Sequence, residues 1–352
     1  MTISENQSIN PLWDKKEHII LGTESSCHET AASVVRNDSK NLSNIISSQF
    51  ETHRPYGGVV PELAARAHVD NIDLIVEEAM RSAQVKYSDL SAIAATGGPG
   101  LIGGVLVGTT FGKALAFANN LPFIAVNHLE GHLMSPMMEF DDLNMPFICL
   151  LVSGGHSMIV DVKEKGDYEI LGQSQDDAVG EAFDKVAKML DLPYPGGPHI
   201  ENLAKKGKST AYDFPRPMIN SNDLNMSLSG LKTSVLYTIQ KIENMNNQIK
   251  CDIAASFQHA VVDVLITKIK KAVDQTGRSN VIIAGGVAAN QFLREEFKKL
   301  ENQLNINVYY PHIKYCGDNA AMIAFVGSKM ASKVNDHSSK VRARWPLDEL
   351  EK

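Results

Sequence analysis

One short pattern occurs twice in this chain and narrows what it can fold into. Residues His18–Thr23 form an apolar run, a turn rich in hydroxyls follows at Glu24–Thr30, and a second apolar run fills Ala31–Arg36. The same order returns as Phe147–Val152, then Ser153-Gly154-Gly155, then His156–Val162. Short apolar runs bounded by polar or glycine-rich turns predict strands. Two copies of one strand–turn–strand unit predict an internal duplication, with one copy heading each of two lobes. The likeness is architectural and weak in letters.

Elsewhere strand-like and helix-like runs alternate, the pattern of an α/β protein with mixed or parallel sheets. Strands are predicted at Ile45–Phe50, Ala92–Thr96, Pro122–Val126, Val281–Ala284 and Val308–Pro311. Over residues 61–83, Leu63, Ala67, Ile72, Ile75, Val76 and Ala79 suit one face of an amphipathic helix. Further helices are predicted over 101–119, 179–190, 229–245, 252–276 and 290–300, and from Asn319, with a Pro/Gly loop at Pro193–Pro198. The acidic, loop-like stretch Glu139–Pro146 marks a boundary. The expected organisation is a disordered leader over 1–17, an N-terminal lobe over 18–140, a C-terminal lobe over 141–335 and a tail over 336–352. The last helix is expected to pack back on the first lobe. At 352 residues the chain is long enough for two such cores.

Composition removes several function classes. A hydrophobic content of 43% with 21% charged residues is that of a folded globular protein and excludes disorder as the main state. No apolar run approaches the length of a bilayer span. The polar, acid-bearing start has neither a signal core nor the look of a transit peptide, so a cytoplasmic location is expected. Cys27, Cys149, Cys251 and Cys316 form no C-x-x-C pair, which argues against a zinc ribbon or a disulfide framework. A net charge of −7 gives no general grip on nucleic acid. An RNA partner would need a local patch, such as Lys205, Lys206 and Lys208, or Lys340, Arg342 and Arg344.

Residues 127–132 read N-H-L-E-G-H. Four positions of helix bring His128 and His132 onto one face, able to reach one metal ion, although such a pair also occurs as ordinary core or surface histidines. Glu130 is rotated by roughly 200° from His128, so the water-activating acid of an H-E-x-x-H protease is missing from the metal face. Thr96–Gly104, T-G-G-P-G-L-I-G-G, satisfies G-x-G-x-x-G after a strand and before a helix, as a dinucleotide fingerprint does. It contains a proline, and no acid follows the next strand to hold a ribose. Glycines that let a helix start pack closely, or receive an anion, account for it better. The turns Ser25–Thr30 and Ser153–His156 suit phosphate approach as well as ordinary hairpins. In Ala284–Asn290, A-G-G-V-A-A-N, a strand runs into glycines and then a helix. Asp318 opens the last helix, either as an N-cap or as a carboxylate third ligand beside the two histidines.

Taken in order, these segments resemble the family of tRNA N6-adenosine threonylcarbamoyltransferases, the bacterial TsaD group. The motifs are G-T-E-S-S-C-H-E-T, G-G-V-V-P-E-L-A-A-R-A-H, N-H-L-E-G-H, L-V-S-G-G-H, G-E-A-F-D-K-V-A-K, Y-P-G-G-P, S-L-S-G-L-K-T, A-G-G-V-A-A-N and D-N-A-A-M-I-A. They cover about Ile19 to Lys333. The resemblance implies a two-lobed, actin-like ATPase fold, each lobe a mixed sheet flanked by helices. It implies transfer of threonylcarbamoyl from threonylcarbamoyl-AMP to N6 of the adenosine 3′ of the anticodon, in tRNAs reading codons that begin with A. It implies a divalent metal, Fe2+ with Zn2+ as the alternative, on His128, His132 and Asp318. Substrate contacts are implied for Leu151, Val152, Ser153, Gly154, Gly155, Asp184, Gly197, Glu201 and Asn290, with Glu29 a catalytic candidate. The implied partners are tRNA, a TsaB-like protein and a TsaE-like ATPase, with no membrane.

Three departures from the family's pattern are visible, one of them Glu201, which stands where many members carry Asp. His28 stands where the first motif has Asp, and aliphatic residues surround Ser227 where Phe is common. A metalloprotease would share the histidine pair, and an actin-like kinase would share the lobes without the three ligands.

Overall fold

A computed structural model describes residues 17–37, 40–330 and 339–350. All but the last residue of the expected leader lies outside these, as do residues 336–338 and 351–352 of the expected tail. The described chain divides into two compact units. The first takes residues up to Thr52, Val59–Asp141 and Asp318–Pro346, and the second takes His53–Gly58, Asp142–Gly317 and Leu347 onward.

The first unit is built on β1 (Ile19–Glu24), β2 (Glu29–Arg36), β3 (Lys40–Ser48), β4 (Ala92–Gly98) and β5 (Phe123–Asn127), in the order β3-β2-β1-β4-β5. The first three form an antiparallel meander, while β4 and β5 add in parallel to β1. Every residue of β1 is buried, so the strand is apolar on both faces up to its closing Thr23 and Glu24 rather than alternating. Helices α1 (Pro61–Ala83) and α2 (Ile102–Ala118) follow β3 and β4, and the short α3 (His128–Met134) follows β5 directly. Their core joins Leu21, Val34, Val76, Ile93 and Phe123.

The second unit repeats this plan. Strands β6 (Phe147–Val152), β7 (Ser157–Glu164), β8 (Asp167–Gln173), β9 (Asn280–Ala284) and β10 (Asn307–Tyr309) run in the order β10-β9-β6-β7-β8. Again three antiparallel strands come first and two parallel strands are added on the other side. The topology is that of the first sheet, strand for strand. Helices α4 (Val179–Met189), α5 (Gly196–Ala204), α6 (Ser229–Gln240), α7 (Asn247–Thr276) and α8 (Gln291–Leu304) surround it. Met226 and Leu228, the aliphatic replacements beside Ser227, are buried in this core. The chain then returns to the first unit as α9 (Ala320–Lys329), which lies against β1, β2 and β4. Gly22 allows the approach, since a Cβ there would lie 2.6 Å from the Ala320 carbonyl oxygen and 2.7 Å from the Ala324 nitrogen. Among the described residues no helix is long and apolar enough to cross a membrane.

Some elements differ from expectation. β3 begins at Lys40 and ends at Ser48 rather than spanning Ile45–Phe50, because its polar first half pairs with β2. β8 gave no strand signal, being a half-exposed edge strand with charged residues in it. The segment Pro193–Pro198 is a loop only to Pro195, and Gly196 starts α5 with Pro198 in its first turn, where a missing N–H costs nothing.

Acidic groups fasten α6. The Asp176 carboxylate accepts hydrogen bonds from Leu228 N, Ser229 N and Ser227 Oγ, and Asp177 pairs with both Lys185 of α4 and Lys232 of α6. Burial opposes ionisation of both acids, but these donors and cations outweigh it and hold each carboxyl below its ordinary value. With the folded value below the unfolded one, the stabilisation is complete above the unfolded value and is lost as pH falls through the folded one. Replacing Asp177 by Asn is expected to cost about 1 kcal/mol at pH 7. That difference from wild type should shrink toward zero below about pH 3, as checked by urea unfolding over a pH series.

Candidate metal centre

In an open α/β sheet, chemistry gathers where parallel strands end. The neighbours β1, β4 and β5 run in parallel, and their C-terminal ends deliver Glu24, Thr96 and Asn127-His128. Asn127 caps α3, its Oδ1 accepting from Leu129 N at 2.9 Å and Glu130 N at 3.3 Å. Its Nδ2 donates to the Trp345 carbonyl at 2.9 Å. The cap sets where the helix begins, so both histidines lie within its seven residues, and both are buried.

Asp318 completes the cluster. The cap of α9 is Asn319, whose side chain accepts from Met322 N, so the capping role read as one alternative for Asp318 falls to its neighbour. Asp318 Oδ1 lies 3.0 Å from His132 Nε2 and 3.6 Å from His128 Nε2. One donor atom from each of the three residues falls within 4.8 Å of the others. On the far side of the ring, His128 Nδ1 is 3.0 Å from Glu24 Oε2 and 3.1 Å from Ser26 Oγ. With both contacts on Nδ1, Nε2 is the ring nitrogen that faces Asp318. Two imidazoles and one carboxylate, two of them anchored on a short capped helix, fit a single divalent ion such as Fe2+ or Zn2+. Glu130 is buried but does not belong to this group, so the three donors come without the acid an H-E-x-x-H site would place among them.

The electrostatics follow from burial and mutual charge. Burial alone would favour neutral His128, yet the carboxylates of Glu24 and Asp318 raise it to about 9. Glu24 and Asp318 are both held below the ordinary carboxyl range, because the histidines outweigh burial. His28, the residue that replaces Asp in the first motif, lies between two partners. Its Nδ1 is 3.2 Å from Cys27 Sγ and its Nε2 is 3.0 Å from Glu29 Oε1. Burial works against its charge, but Cys27 and Glu29 raise it to about 11. Burial pushes the Cys27 thiol and the Glu29 carboxyl upward. The whole loop is clamped by buried His68, whose Nε2 is 3.2 Å from the Cys27 carbonyl and whose Nδ1 is 2.8 Å from Thr30 Oγ1.

The glycine-rich segment serves this loop. A Cβ at Gly100 would stand 2.6 Å from the Ser26 carbonyl oxygen. At Gly104 it would run into the Ser25 carbonyl, and at Gly108 into Ser25 Oγ. Ser25 Oγ donates to the Gly104 carbonyl at 2.9 Å. These glycines therefore let the start of α2 touch the turn that carries Glu24 to Ser26. Of the other motif glycines, Gly98 meets the Arg342 backbone and Gly103 meets Ala65, which is the close-packing account of G-x-G-x-x-G rather than the dinucleotide one.

The other sequence candidates lie in the second unit. Leu151 and Val152 end β6 in full burial, and Ser153 Oγ accepts from Gly155 N and His156 N, leaving Gly154 and Gly155 exposed with open space around them. Gly285, at φ 89°, packs against Val152 and Ser153, and Gly180 N donates to the Ser153 carbonyl, so this turn meets both the start of α4 and the A-G-G-V-A-A-N segment. Asp184 accepts from Gly196 N at 2.7 Å, and Gly197 has no neighbour where its Cβ would be. Glu201 Oε1 accepts from Gln291 N at 3.0 Å, beside Asn290. Asn290 is the buried cap of α8, its Oδ1 accepting from Leu293 N and its Nδ2 donating to Gln258 Oε1. Glu24 and Thr96 were not singled out from sequence. The available signal was an ionisable residue closing an otherwise apolar strand, I-I-L-G-T-E.

A family profile described as "TsaD: tRNA N6-adenosine threonylcarbamoyltransferase" matches residues 40–325. A protein of Clostridioides difficile (strain 630) described as tRNA N6-adenosine threonylcarbamoyltransferase is 51% identical over 310 residues, 88% of this chain and 92% of that protein. Among solved structures, HypF from T. kodakarensis superposes with a TM-score of 0.61 at 17% identity, over 89% of this chain and 47% of HypF. Component A of (R)-2-hydroxyglutaryl-CoA dehydratase from Acidaminococcus fermentans gives 0.52 at 16% identity, over 90% and 99% of the two chains. At such identities the likeness concerns the fold alone. It places the duplicated sheets in the actin-like ATPase fold.

A Gly104→Ala substitution forces a methyl group against the Ser25 backbone and is expected to cost about 1–3 kcal/mol. Gly197→Ala, with open space at its Cβ, should leave stability unchanged or raise it by up to about 1 kcal/mol. Denaturant unfolding of both variants checks the contrast.

Proposed function

The chain belongs to the tRNA N6-adenosine threonylcarbamoyltransferase family, and we propose that its donor is threonylcarbamoyl-AMP and its acceptor the adenosine 3′ of the anticodon. The tRNAs are those reading codons that begin with A, and the place of action is the cytoplasm. The observation that carries this reading is the convergence of His128, His132 and Asp318 on one point. These three residues would hold one divalent ion, Fe2+ first and Zn2+ as the alternative. Bound there, such an ion supplies Lewis-acid polarisation of an oxygen of the donor.

In the reaction the exocyclic nitrogen of adenosine forms a bond to the carbamoyl carbon, the bond from that carbon to the phosphate oxygen breaks, and AMP leaves. The nitrogen gives up one proton. No covalent link to the protein is required, so the chain's task is to position and to stabilise charge. Leu151 to Gly155 would hold the phosphate and acyl region of the donor, because the exposed glycines allow backbone approach. Asp184 would act through the N-terminus of α5, where Gly197 leaves room beside the chain. Glu201 and Asn290 would contribute at the start of α8, chiefly by holding its first turn in place. Glu29 stands as the acid nearest in sequence to His28 and would receive or steer a proton.

The net charge of −7 fits a chain that shares the holding of tRNA with others. A TsaB-like and a TsaE-like protein are the proposed partners. Ile102 and Leu106, one turn apart on α2 and each about half exposed, offer an apolar strip for the TsaB-like one.

The test is a transfer assay with purified protein, with and without these partners, threonylcarbamoyl-AMP and an unmodified tRNA reading an A-starting codon. Mass spectrometry of the digested nucleosides should detect threonylcarbamoyladenosine, lost on chelation. His128→Ala should lower transfer by more than about 100-fold, beyond what loss of an orienting group costs, and should abolish metal loading. A fully active, metal-free variant sinks the reading. Phosphate release from ATP without tRNA, and no transfer, would favour a kinase-like activity instead.

A further inference from the structure

We propose that Glu24 is the positioning residue for His128, held in place by Thr96, and that it fixes which ring nitrogen of His128 faces the ion. The inference rests on the reading of His128, His132 and Asp318 as a metal site and adds to it the machinery that aims one ligand. Glu24 has no exposed side-chain surface. Each of its oxygens is taken by a donor of this chain. Oε1 accepts from Ser26 N at 2.5 Å, while Oε2 accepts from Thr96 Oγ1 at 2.5 Å and from His128 Nδ1 at 3.0 Å.

A carboxylate beside a ring N–H makes a charge-assisted bond, stronger than the one Ser26 Oγ offers the same nitrogen from 3.1 Å. With Nδ1–H committed to Glu24, the nitrogen of His128 that would bind the ion is Nε2, the atom 3.6 Å from Asp318 Oδ1. A carboxylate so placed fixes ring orientation and raises the basicity of the ligating nitrogen. His132 differs. Its Nδ1 is buried without a hydrogen-bond partner among the described residues, so there the orienting device acts on one histidine of the pair.

The device is a product of sheet register. β1 and β4 pair in parallel with Thr23 opposite Ala95, which brings the next residues, Glu24 and Thr96, side by side. Thr96 is itself tied down, its carbonyl accepting from Thr109 Oγ1 of α2 at 2.8 Å. A hydroxyl at position 96 therefore aligns the acid, and the acid aligns the ring.

The experiment uses the full chain, stripped of metal by a chelator and titrated calorimetrically with Co2+ as probe. Glu24→Gln is expected to weaken ion binding by about 10- to 100-fold and to change the visible absorption of the Co2+ form. Thr96→Val should give a smaller loss of the same sign, and Thr96→Ser, which keeps the hydroxyl, should recover wild-type affinity. If Glu24→Gln does not fold, the Thr96→Val and Thr96→Ser pair decides. Wild-type affinity in Thr96→Val and in Glu24→Gln overturns the assignment, as does a loss of affinity that merely tracks a loss of metal-free unfolding midpoint. A wild-type chain that binds no ion instead overturns the metal-site reading itself, and the proposal with it.

Discussion

A carboxylate with no path to water has to be met by donors, or it will not stay charged. Burying an ion costs several kcal/mol after relaxation, and Glu24 sits at the end of a strand whose every residue is buried. Its neighbours answer that cost with a backbone amide, a hydroxyl and an imidazole. Each donor comes from a different element, so each element has to be where it is. The parallel register of β1 and β4 brings Thr96 alongside, and β5 delivers His128. Glycines of α2 admit the turn that carries Ser26, and Gly22 admits α9 and with it Asp318. Much of the first unit can be understood as what it takes to surround one negative charge.

The sequence disclosed this centre unevenly, and for physical reasons. His128 and His132 were legible because helical spacing is a local property, and Asn127 as a cap supports it. Asp318 stayed ambiguous, since one acid before a helix can be a cap or a ligand. The choice depended on Asn319 taking the cap, a matter of a single residue's backbone. Glu24 and Thr96 could not be paired from their positions, 72 residues apart, without knowing which strands lie side by side. The G-x-G-x-x-G spacing announced close approach correctly and said nothing about what approaches; the answer is Arg342 at Gly98, Ser26 at Gly100 and Ala65 at Gly103. The strand–turn–strand repeat carried the fold, and the edge strand β8 and the helix α5 escaped because charge and proline mask them.

The two sheets share a topology and spend it differently. By strand order β6 corresponds to β1, and β9 to β4. Where β1 ends in an acid, β6 runs into Ser153 and two exposed glycines; where β4 carries Thr96, β9 runs into Gly285 and Gly286. One locus gathers two imidazoles and a carboxylate around a point, and the other leaves glycine backbone exposed. The sheet says where chemistry can be placed, and the residues at its strand ends say which chemistry it is.

The third donor arrives late. Asp318 follows His132 by 186 positions, and the whole of the second unit's sheet is encoded between them. During synthesis the histidine helix emerges early, yet it cannot be closed by Asp318 until the intervening unit has left the ribosome. A chain cut short between His132 and Asp318 would carry both histidines and lack the third donor. Reading direction thus acts as a quality check, since the centre is complete only in a molecule that already has both of its sheets.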